Sequence, residues 1–473
     1  MDVKLEDGST LKCQDYSSGR GTEGEVYFST DGKYAVKLYN TDTDRTKQSL
    51  QMIMKKFNPV SDPVWRPLFC WPEKIVTSPR LGIAMPRAAN GLRSLDSFLL
   101  PKFRNTKLTA AERGDWAGHV VIAGRMARLM TRLHLSGLCY ADPSWNNFLV
   151  DPRDGRITAI DLDGLVVHPF LPATVQGTKE FQAPELVMQT SPPSVETDLH
   201  ALAVLIYRTL MFYKIPGIGW GSVHPLGAGM SALQGSKVHP GNGAEENDMH
   251  AFGDGALFIE HPTDHSNRPK APFLSSSMLG TDLEKLIREA FNDGLFDPKK
   301  RPQAPKWEQA LVQLLDRLIP CSNPACEMKS FPLMESGESQ CPWCNKKLND
   351  PRSLAVLRMY RPINGRPPIK YTPDGNYMVV AWPGRTVHEW HIDPSKMPGR
   401  SGVATKNRAH FEFWDRAGSW HLVNDDLPEL AFKDGNNKKT VAIGSSVELR
   451  DGVQLTFGTL DQSRLALVQT LST

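Results

Sequence analysis

Residues Tyr140 to Val150 read Y-A-D-P-S-W-N-N-F-L-V, and ten residues later the chain reads I-D-L-D-G. An aspartate (Asp142), an asparagine five positions on (Asn147), then a hydrophobic strand ending in Asp161 is the order that phosphoryl transfer requires. One carboxylate accepts or orients a hydroxyl proton, and two oxygen donors hold magnesium. D-L-D-G offers two acids for the second ligand. Asp161 is preferred because it directly follows the apolar run Ile157 to Ile160, which leaves Asp163 facing the loop. Upstream, Gly19, Gly21 and Gly24 lie in G-R-G-T-E-G-E-V, and A-V-K ends at Lys37. Glycines at this spacing let a strand-turn-strand approach phosphates closely, and a lysine on the next strand can neutralise their charge. Taken singly each motif is weak, because such glycines also build ordinary hairpins and a loop aspartate also caps turns.

A second chemistry is carried by cysteine. Four of the seven cysteines fall together, as C-S-N-P-A-C at Cys321 and Cys326 and C-P-W-C at Cys341 and Cys344. Two thiolate pairs on knuckle turns suit a tetrahedral structural zinc, with no open coordination position for catalysis. A disulfide framework is the alternative, and it requires an oxidising compartment. Lys346 and Lys347 are the only nearby basic pair, which makes nucleic acid an unlikely partner. Cys13, Cys70 and Cys139 stand alone and read as buried apolar residues.

These groups need elements to position them. The segment after Lys37 has Leu50, Ile53, Met54 and Phe57 at helical spacing. Ala201 to Tyr213 is the most apolar stretch, but Arg208 interrupts it and it is too short to span a bilayer. It reads as a buried central helix. From about Leu354 the texture changes to short alternating stretches such as Y-M-V-V-A-W and H-F-E-F-W, separated by Gly, Pro, Asn and Asp, which predicts a β-sandwich. The stretch from Lys214 to Phe273 is polar and glycine-rich, and its His239, His250, His261 and His265 fit no compact metal site. With 473 residues, 40% hydrophobic and 23% charged, the composition is that of a multidomain globular protein. A net charge of +3 gives no mandate for nucleic acid or membrane, and the N-terminus has no apolar signal core. A cytoplasmic location is expected.

Downstream motifs continue in order: G-T-K-E-F-Q-A-P-E from Gly177 to Glu185, T-D-L-H-A-L-A-V-L-I-Y-R-T-L from Thr197, and D-P-K-K-R-P ending at Pro302. Across about residues 10 to 318 the chain thereby resembles the eukaryotic-like protein kinase superfamily. The resemblance implies an α+β bilobal kinase fold over residues 1–318, with an N-lobe at about 10–88 and a C-lobe at about 89–318. It implies serine/threonine kinase activity on a protein substrate, with ATP and magnesium as cofactors. Gly19, Gly21, Gly24, Val26 and Met85 would line the nucleotide, and Lys37 would hold its phosphates. Asp142 would orient the acceptor hydroxyl, Asn147 and Asp161 would bind magnesium, Glu185 and Arg301 would form a buried ion pair, and Asp198 would hold the loop before Asp142. The sequence departs from the family at several positions. The helix after Lys37 carries no Glu, so Gln48, Gln51 or an acid from elsewhere must hold the lysine. Tyr140-Ala141 replaces His-Arg, and Ser144 stands where a Lys is usual. Thr174 and Thr178 are the only hydroxyl residues between Asp161 and Pro184. Activation by loop phosphorylation is therefore disfavoured, and a pseudokinase scaffold that binds nucleotide and assembles partners is the alternative reading.

Residues 319–350 form the expected zinc ribbon. Residues 354–473 resemble a forkhead-associated domain through Gly384-Arg385, N-R-A-H at Asn407 to His410, and L-R-D-G-V-Q-L-T-F-G from Leu449. That resemblance implies a sandwich that reads phosphothreonine peptides, with Arg385, Asn407 and Arg408 at the phosphopeptide site and His410 packed beneath the loops. Asn407 replaces the family's Ser, and only Gly435-Asn436 lies near the expected Asn-Gly turn, so a fold without phosphopeptide affinity stays open. The order of kinase, zinc module and forkhead-like sandwich resembles bacterial kinases of tellurite-resistance and stress operons. The resemblance implies a von Willebrand A-domain protein and a metal-dependent phosphatase as partners.

Overall fold

A computed structural model describes the chain except residues 22, 42–43, 101–103, 105, 168–169, 171–176, 212–248, 250, 267, 269–273, 335–339, 349–352, 364–368, 401–402, 404, 459–462 and 472–473, and the side chains of 44–46. The fold is mixed α/β, with several sheets and a few helices. It divides into two compact units: residues 1–114, 122–273 and 287–308, and residues 115–121, 274–286 and 309–473. Thr174, His239 and His250 lie outside the described residues.

The first unit begins with an antiparallel sheet of seven strands: β1 (Asp2–Leu5), β2 (Thr10–Lys12), β3 (Gly19–Arg20), β4 (Gly24–Phe28), β5 (Tyr34–Tyr39), β6 (Lys74–Ser78) and β7 (Gly82–Pro86), in the order β2-β1-β6-β7-β5-β4-β3. Successive side chains alternate between its faces. Val36, Leu38, Val76 and Ala84 share one buried cluster with Val3 and Leu5. Tyr39, Ile75, Ile83 and Met85 share another, which Leu50 and Met54 of the helix Asp44–Lys56 cover. The same alternation puts Lys37 on the face of Tyr39. The register sets Val26 opposite Lys37 and Gly24 opposite Tyr39. A Cβ on Gly24 would sit 2.3 Å from the Leu38 carbonyl oxygen, so the strand pairing there requires glycine.

A smaller sheet of β8 (Arg93–Ser94), β9 (Phe148–Asp151) and β10 (Arg156–Ala159) follows, in the order β10-β9-β8. The β9–β10 hairpin turns through Gly155 at φ +69° and pairs Phe148 with Ala159. It therefore delivers the residue before β9, Asn147, and the segment after β10, Ile160 and Asp161, to one end of the hairpin. The Ile160 N–H donates to the Asn147 carbonyl at 3.0 Å.

In the helix Val195–Met211 every residue from Thr197 onward is buried, which accounts for the apolar run in the sequence. Among the described residues no helix is long and apolar enough to cross a membrane. The two buried charges on this helix are paired: Arg208 meets Glu180 at 3.0 Å, and Asp198 accepts two backbone hydrogen bonds described below. Arg301 donates to both carboxylate oxygens of Glu185 at 2.6 and 2.8 Å, and to the carbonyls of Gly294, Glu196 and Leu295.

The second unit contains β11 (Leu318–Pro320) paired with β12 (Ser330–Pro332), followed by two larger antiparallel sheets. One orders β14 (Tyr371–Val380), β13 (Leu354–Pro362), β22 (Leu465–Leu471), β21 (Gln454–Thr456), β18 (Ala431–Asp434) and β19 (Asn437–Thr440). The other orders β15 (Thr386–Val387), β16 (Ala409–Trp414), β17 (Ser419–Asn424) and β20 (Ser446–Glu448). Their inward residues share one core, with Leu357, Val379, Leu455 and Val468 from the first sheet and Phe411, Trp420, Leu422 and Val447 from the second.

The Arg301–Glu185 pair has a fully buried guanidinium. Removing one partner of such a pair leaves an uncompensated charge. Arg301→Ala is expected to lower unfolding free energy by about 3–5 kcal/mol in denaturant titration. Lys300→Ala, at a mostly exposed neighbour, should change it by less than about 0.5 kcal/mol.

Candidate functional site

Lys37, Asp142, Asn147 and Asp161 all line one cavity of about 910 Å³, together with Gly19, Gly21, Gly24, Val26 and Met85. Gly21 donates its N–H to the Gly24 carbonyl at 2.9 Å, which closes the turn between β3 and β4. The three glycines differ in their constraint. Gly24 has no space for a Cβ, whereas Gly19 and Gly21 face open space toward the cavity.

The Lys37 side chain is only 8% exposed, and its Nζ contacts three carboxylates: Glu23 at 2.9 Å, Asp161 at 2.6 Å and Asp163 at 3.0 Å. Two sequence expectations are corrected here. Asp163 does not face the loop, because the Tyr39 hydroxyl donates to it at 2.6 Å and its side chain is 5% exposed. Neither glutamine meets Lys37 either: Gln51 donates to Glu6 at 2.8 Å, and Gln48 is exposed. The acid from elsewhere is supplied by the glycine-rich segment and by the strand end. Glu23 is thus a cavity residue that the sequence motifs did not single out, and Asp163, set behind Asp161 as a metal ligand on sequence grounds, is a partner of Lys37. The signals were the position of Glu23 between Gly21 and Gly24, and the alternation that puts Tyr39 on the lysine's face.

The loop carrying Asp142 is held from beneath. The buried Asp198 carboxylate accepts from the backbone N–H groups of Tyr140 at 2.7 Å and Ala141 at 3.0 Å, while His134 Nε2 lies 3.1 Å away. With those bonds made, Ala141 is held at φ +69°, a strained conformation for a residue bearing a Cβ. Asn147 Nδ2 donates to the Asp142 carbonyl at 2.9 Å and to its Oδ2 at 3.2 Å. The Thr178 N–H donates to Asp142 Oδ1 at 2.7 Å. Gly177, at φ +82°, permits that approach, since a Cβ there would lie 2.8 Å from the Ala141 carbonyl oxygen. Asp142 is thus oriented by one amide and one backbone N–H.

The electrostatics are unbalanced toward negative charge. Three carboxyl groups face one ammonium. Burial alone would lower Lys37, but Asp163 and Asp161 outweigh it and hold the lysine protonated far above its usual range. Burial, then repulsion from Asp163, pushes Asp161 up to about 6 against the pull of Lys37. Oxygens of Glu23, Asp161 and Asp163 lie within 4.8 Å of one another. Such a hard, oxygen-rich cluster with surplus charge has the chemistry to hold a divalent cation. Burial raises the thiol of Cys70, beside the cavity, to about 12, and it raises Cys139 well above the ordinary range, so both are poor nucleophiles.

In the second unit the four cysteines converge, with all four Sγ atoms within 4.8 Å of one another. Cys321 and Cys344 are 3.5 Å apart, and Cys326 and Cys341 are 3.9 Å apart. The two neighbours in each close pair come from different segments, Cys321 and Cys326 from one and Cys341 and Cys344 from the other: the Cys321 N–H donates to the Lys329 carbonyl, the Asn345 N–H donates to the Cys341 carbonyl, and Lys329 and Asn345 adopt φ near +58°. Trp343 closes the centre through its Nε1–H to the Ser330 carbonyl at 3.1 Å. Burial raises Cys341, while Cys344 is drawn down to about 7 by the Lys346 N–H and Asn323 despite burial's upward push. Four soft ligands at this separation can hold a metal such as zinc, and no position stays open for a substrate. Among the described residues His261 and His265 join no such group.

The expected phosphopeptide residues do not assemble. Arg385 turns inward, and its guanidinium donates to the carbonyls of Asp316 at 2.7 Å, Val380 at 2.9 Å and Leu318 at 2.6 Å. Those buried carbonyls have a stronger claim on it than a solvated ligand. Arg408 pairs with Asp426 at 2.9 Å, and Asn407 is exposed. His410 is not beneath loops but on the outer face of β16, 32% exposed, where Asp425 at 2.9 Å raises its pKa.

Two outcomes follow from this geometry. Purified chain should carry one equivalent of zinc by metal analysis, and Cys341→Ser should lose it together with thermal stability. Arg385→Ala should destabilise the second unit by about 1–3 kcal/mol in denaturant unfolding, because it leaves buried carbonyls unpaired. No protein-family model matches the chain and no curated protein matches it significantly, so the chemistry of these sites carries the functional reading.

Proposed function

We propose that the first unit is a protein kinase-like phosphotransferase with the bilobal kinase architecture, transferring the γ-phosphoryl group of ATP to a Ser or Thr of a protein partner. The observation that carries this reading is the convergence of Lys37, Asp142, Asn147 and Asp161 on one cavity roofed by the glycine-rich β3–β4 turn, although they are spread over 125 positions. A scaffold needs no such set.

Each residue has a task suited to its surroundings. With no side chain at Gly19 or Gly21, phosphates have room to approach the turn closely, while Val26 and Met85 supply apolar walls for a base. Lys37 offers a permanently charged ammonium to phosphate oxygens. Asp142, aimed by Asn147 and the Thr178 N–H, accepts or orients the acceptor hydroxyl proton. Asn147 and Asp161 would hold magnesium, with Glu23 and Asp163 adding negative charge nearby. Bound magnesium supplies charge neutralisation at the transferred phosphoryl group. The carboxylates around Lys37 support that assignment, since three of them meet a single ammonium.

The second unit is read as a structural zinc ribbon joined to a forkhead-like sandwich that serves assembly. With Arg385 engaged internally, it contributes a scaffold more readily than a phosphothreonine reader. A cytoplasmic protein of a bacterial stress or tellurite-resistance system, working with a von Willebrand A-domain protein and a metal-dependent phosphatase, is the setting we propose. A reducing compartment keeps the four thiolates available for metal.

Incubating purified protein with labelled ATP, magnesium and a candidate protein acceptor should transfer label to Ser or Thr. Asp142→Ala should reduce transfer at least about a hundredfold, the usual weight of a general base. Equal label with both proteins would eliminate the phosphotransferase and leave the pseudokinase scaffold.

A further inference from the structure

The helix Asp44–Lys56 packs on the sheet through Leu50 and Met54 yet carries no glutamate, and its Gln51 is engaged with Glu6. Lys37 therefore takes its fixed counter-charge from another element. Its three carboxylate neighbours are not equivalent. Glu23 and Asp161 have side chains 38% and 42% exposed and face the cavity, so a phosphate and a metal can replace or recruit them. Asp163 is 5% exposed, its two oxygens lie 3.0 and 3.2 Å from Nζ, and the Tyr39 hydroxyl pins it at 2.6 Å. Lys37 and Tyr39 sit two apart on β5, on one face, and so form a rigid two-point cradle for this single carboxylate.

We propose that Asp163 is the positioning residue for Lys37, taking the place of a helix acid. This role rests on the phosphotransferase reading above. When substrate enters, Lys37 exchanges Glu23 and Asp161 for phosphate oxygens and keeps Asp163. The lysine is then aligned by the D-L-D-G segment that also carries the metal ligand Asp161, and not by movement of the helix Asp44–Lys56. One short segment sets both the lysine and the metal, so helix displacement is removed as a means of switching this site.

The test is a double-mutant cycle on magnesium-ATP affinity, read by thermal shift and by a fluorescent ATP analogue, with phosphoryl transfer measured in parallel. Asp163→Asn preserves shape and should weaken affinity about tenfold, as expected for losing one charge-assisted hydrogen bond, with a larger fall in kcat/KM. Tyr39→Phe should produce a smaller loss in the same direction, and Gln48→Ala and Gln51→Ala none. In a Lys37→Met background, Asp163→Asn should cost nothing further. The role is overturned if Asp163→Asn behaves as wild type, or if its cost persists in full without the lysine, which would make Asp163 a metal ligand. A wild-type protein that neither binds nor uses magnesium-ATP overturns the underlying reading, and this role with it.

Discussion

Burying an ammonium is costly unless carboxylates come to it, and the first unit is organised around that constraint at Lys37. The lysine lies mid-strand in β5 on the face it shares with the apolar cluster of Ile75, Ile83 and Met85, and its side chain keeps only 8% of its surface exposed. Three acids answer from the glycine-rich turn and from the end of the β9–β10 hairpin. In doing so they draw those two segments over one cavity. Asp161 reaches the lysine at φ +59°, a backbone cost that its ion pair and neighbouring contacts offset.

The same rule recurs where the loop before Asn147 is shaped. Asp198, with no exposed side-chain surface, takes its compensation from the Tyr140 and Ala141 amides. Those bonds hold a conformation that an alanine would not choose in isolation. Glycine at 177 then allows a second chain segment to lie against Asp142. The proposed chemistry thus depends on buried charges that have been given backbone partners, which is how a catalytic geometry can be held without flexible side chains.

In the second unit the organising forces differ. Two antiparallel sheets share one apolar core, and the cysteine centre ties together a short stretch that buries Met328, Phe331, Leu333 and Trp343 beside it. Arg385 belongs to that internal order: Asp316 supplies its carbonyl to the arginine and its carboxylate to Tyr377 and His391. A residue whose neighbours in sequence resemble a ligand-binding loop has instead become part of the packing.

Local physics made much of this legible in the sequence. Alternation in β5 places Lys37 on one face whatever surrounds it, the apolar run after Thr197 has to be buried, and the spacing of the four cysteines marks them as a metal-binding set. The order of Asp142, Asn147 and Asp161 around a single hairpin is likewise a local matter. Which acid meets Lys37 was not local: its partners lie 14, 124 and 126 positions away, and spacing cannot distinguish Asp163 from Asp161 until the hairpin and β5 are set against each other. Arg385 is the same case, since the carbonyls that capture it lie 67 and 69 residues upstream. The sequence by itself determined the groups available and the faces they occupy. Only the tertiary structure decided their partners, because a buried charge is satisfied by whichever opposite group the rest of the chain brings within reach.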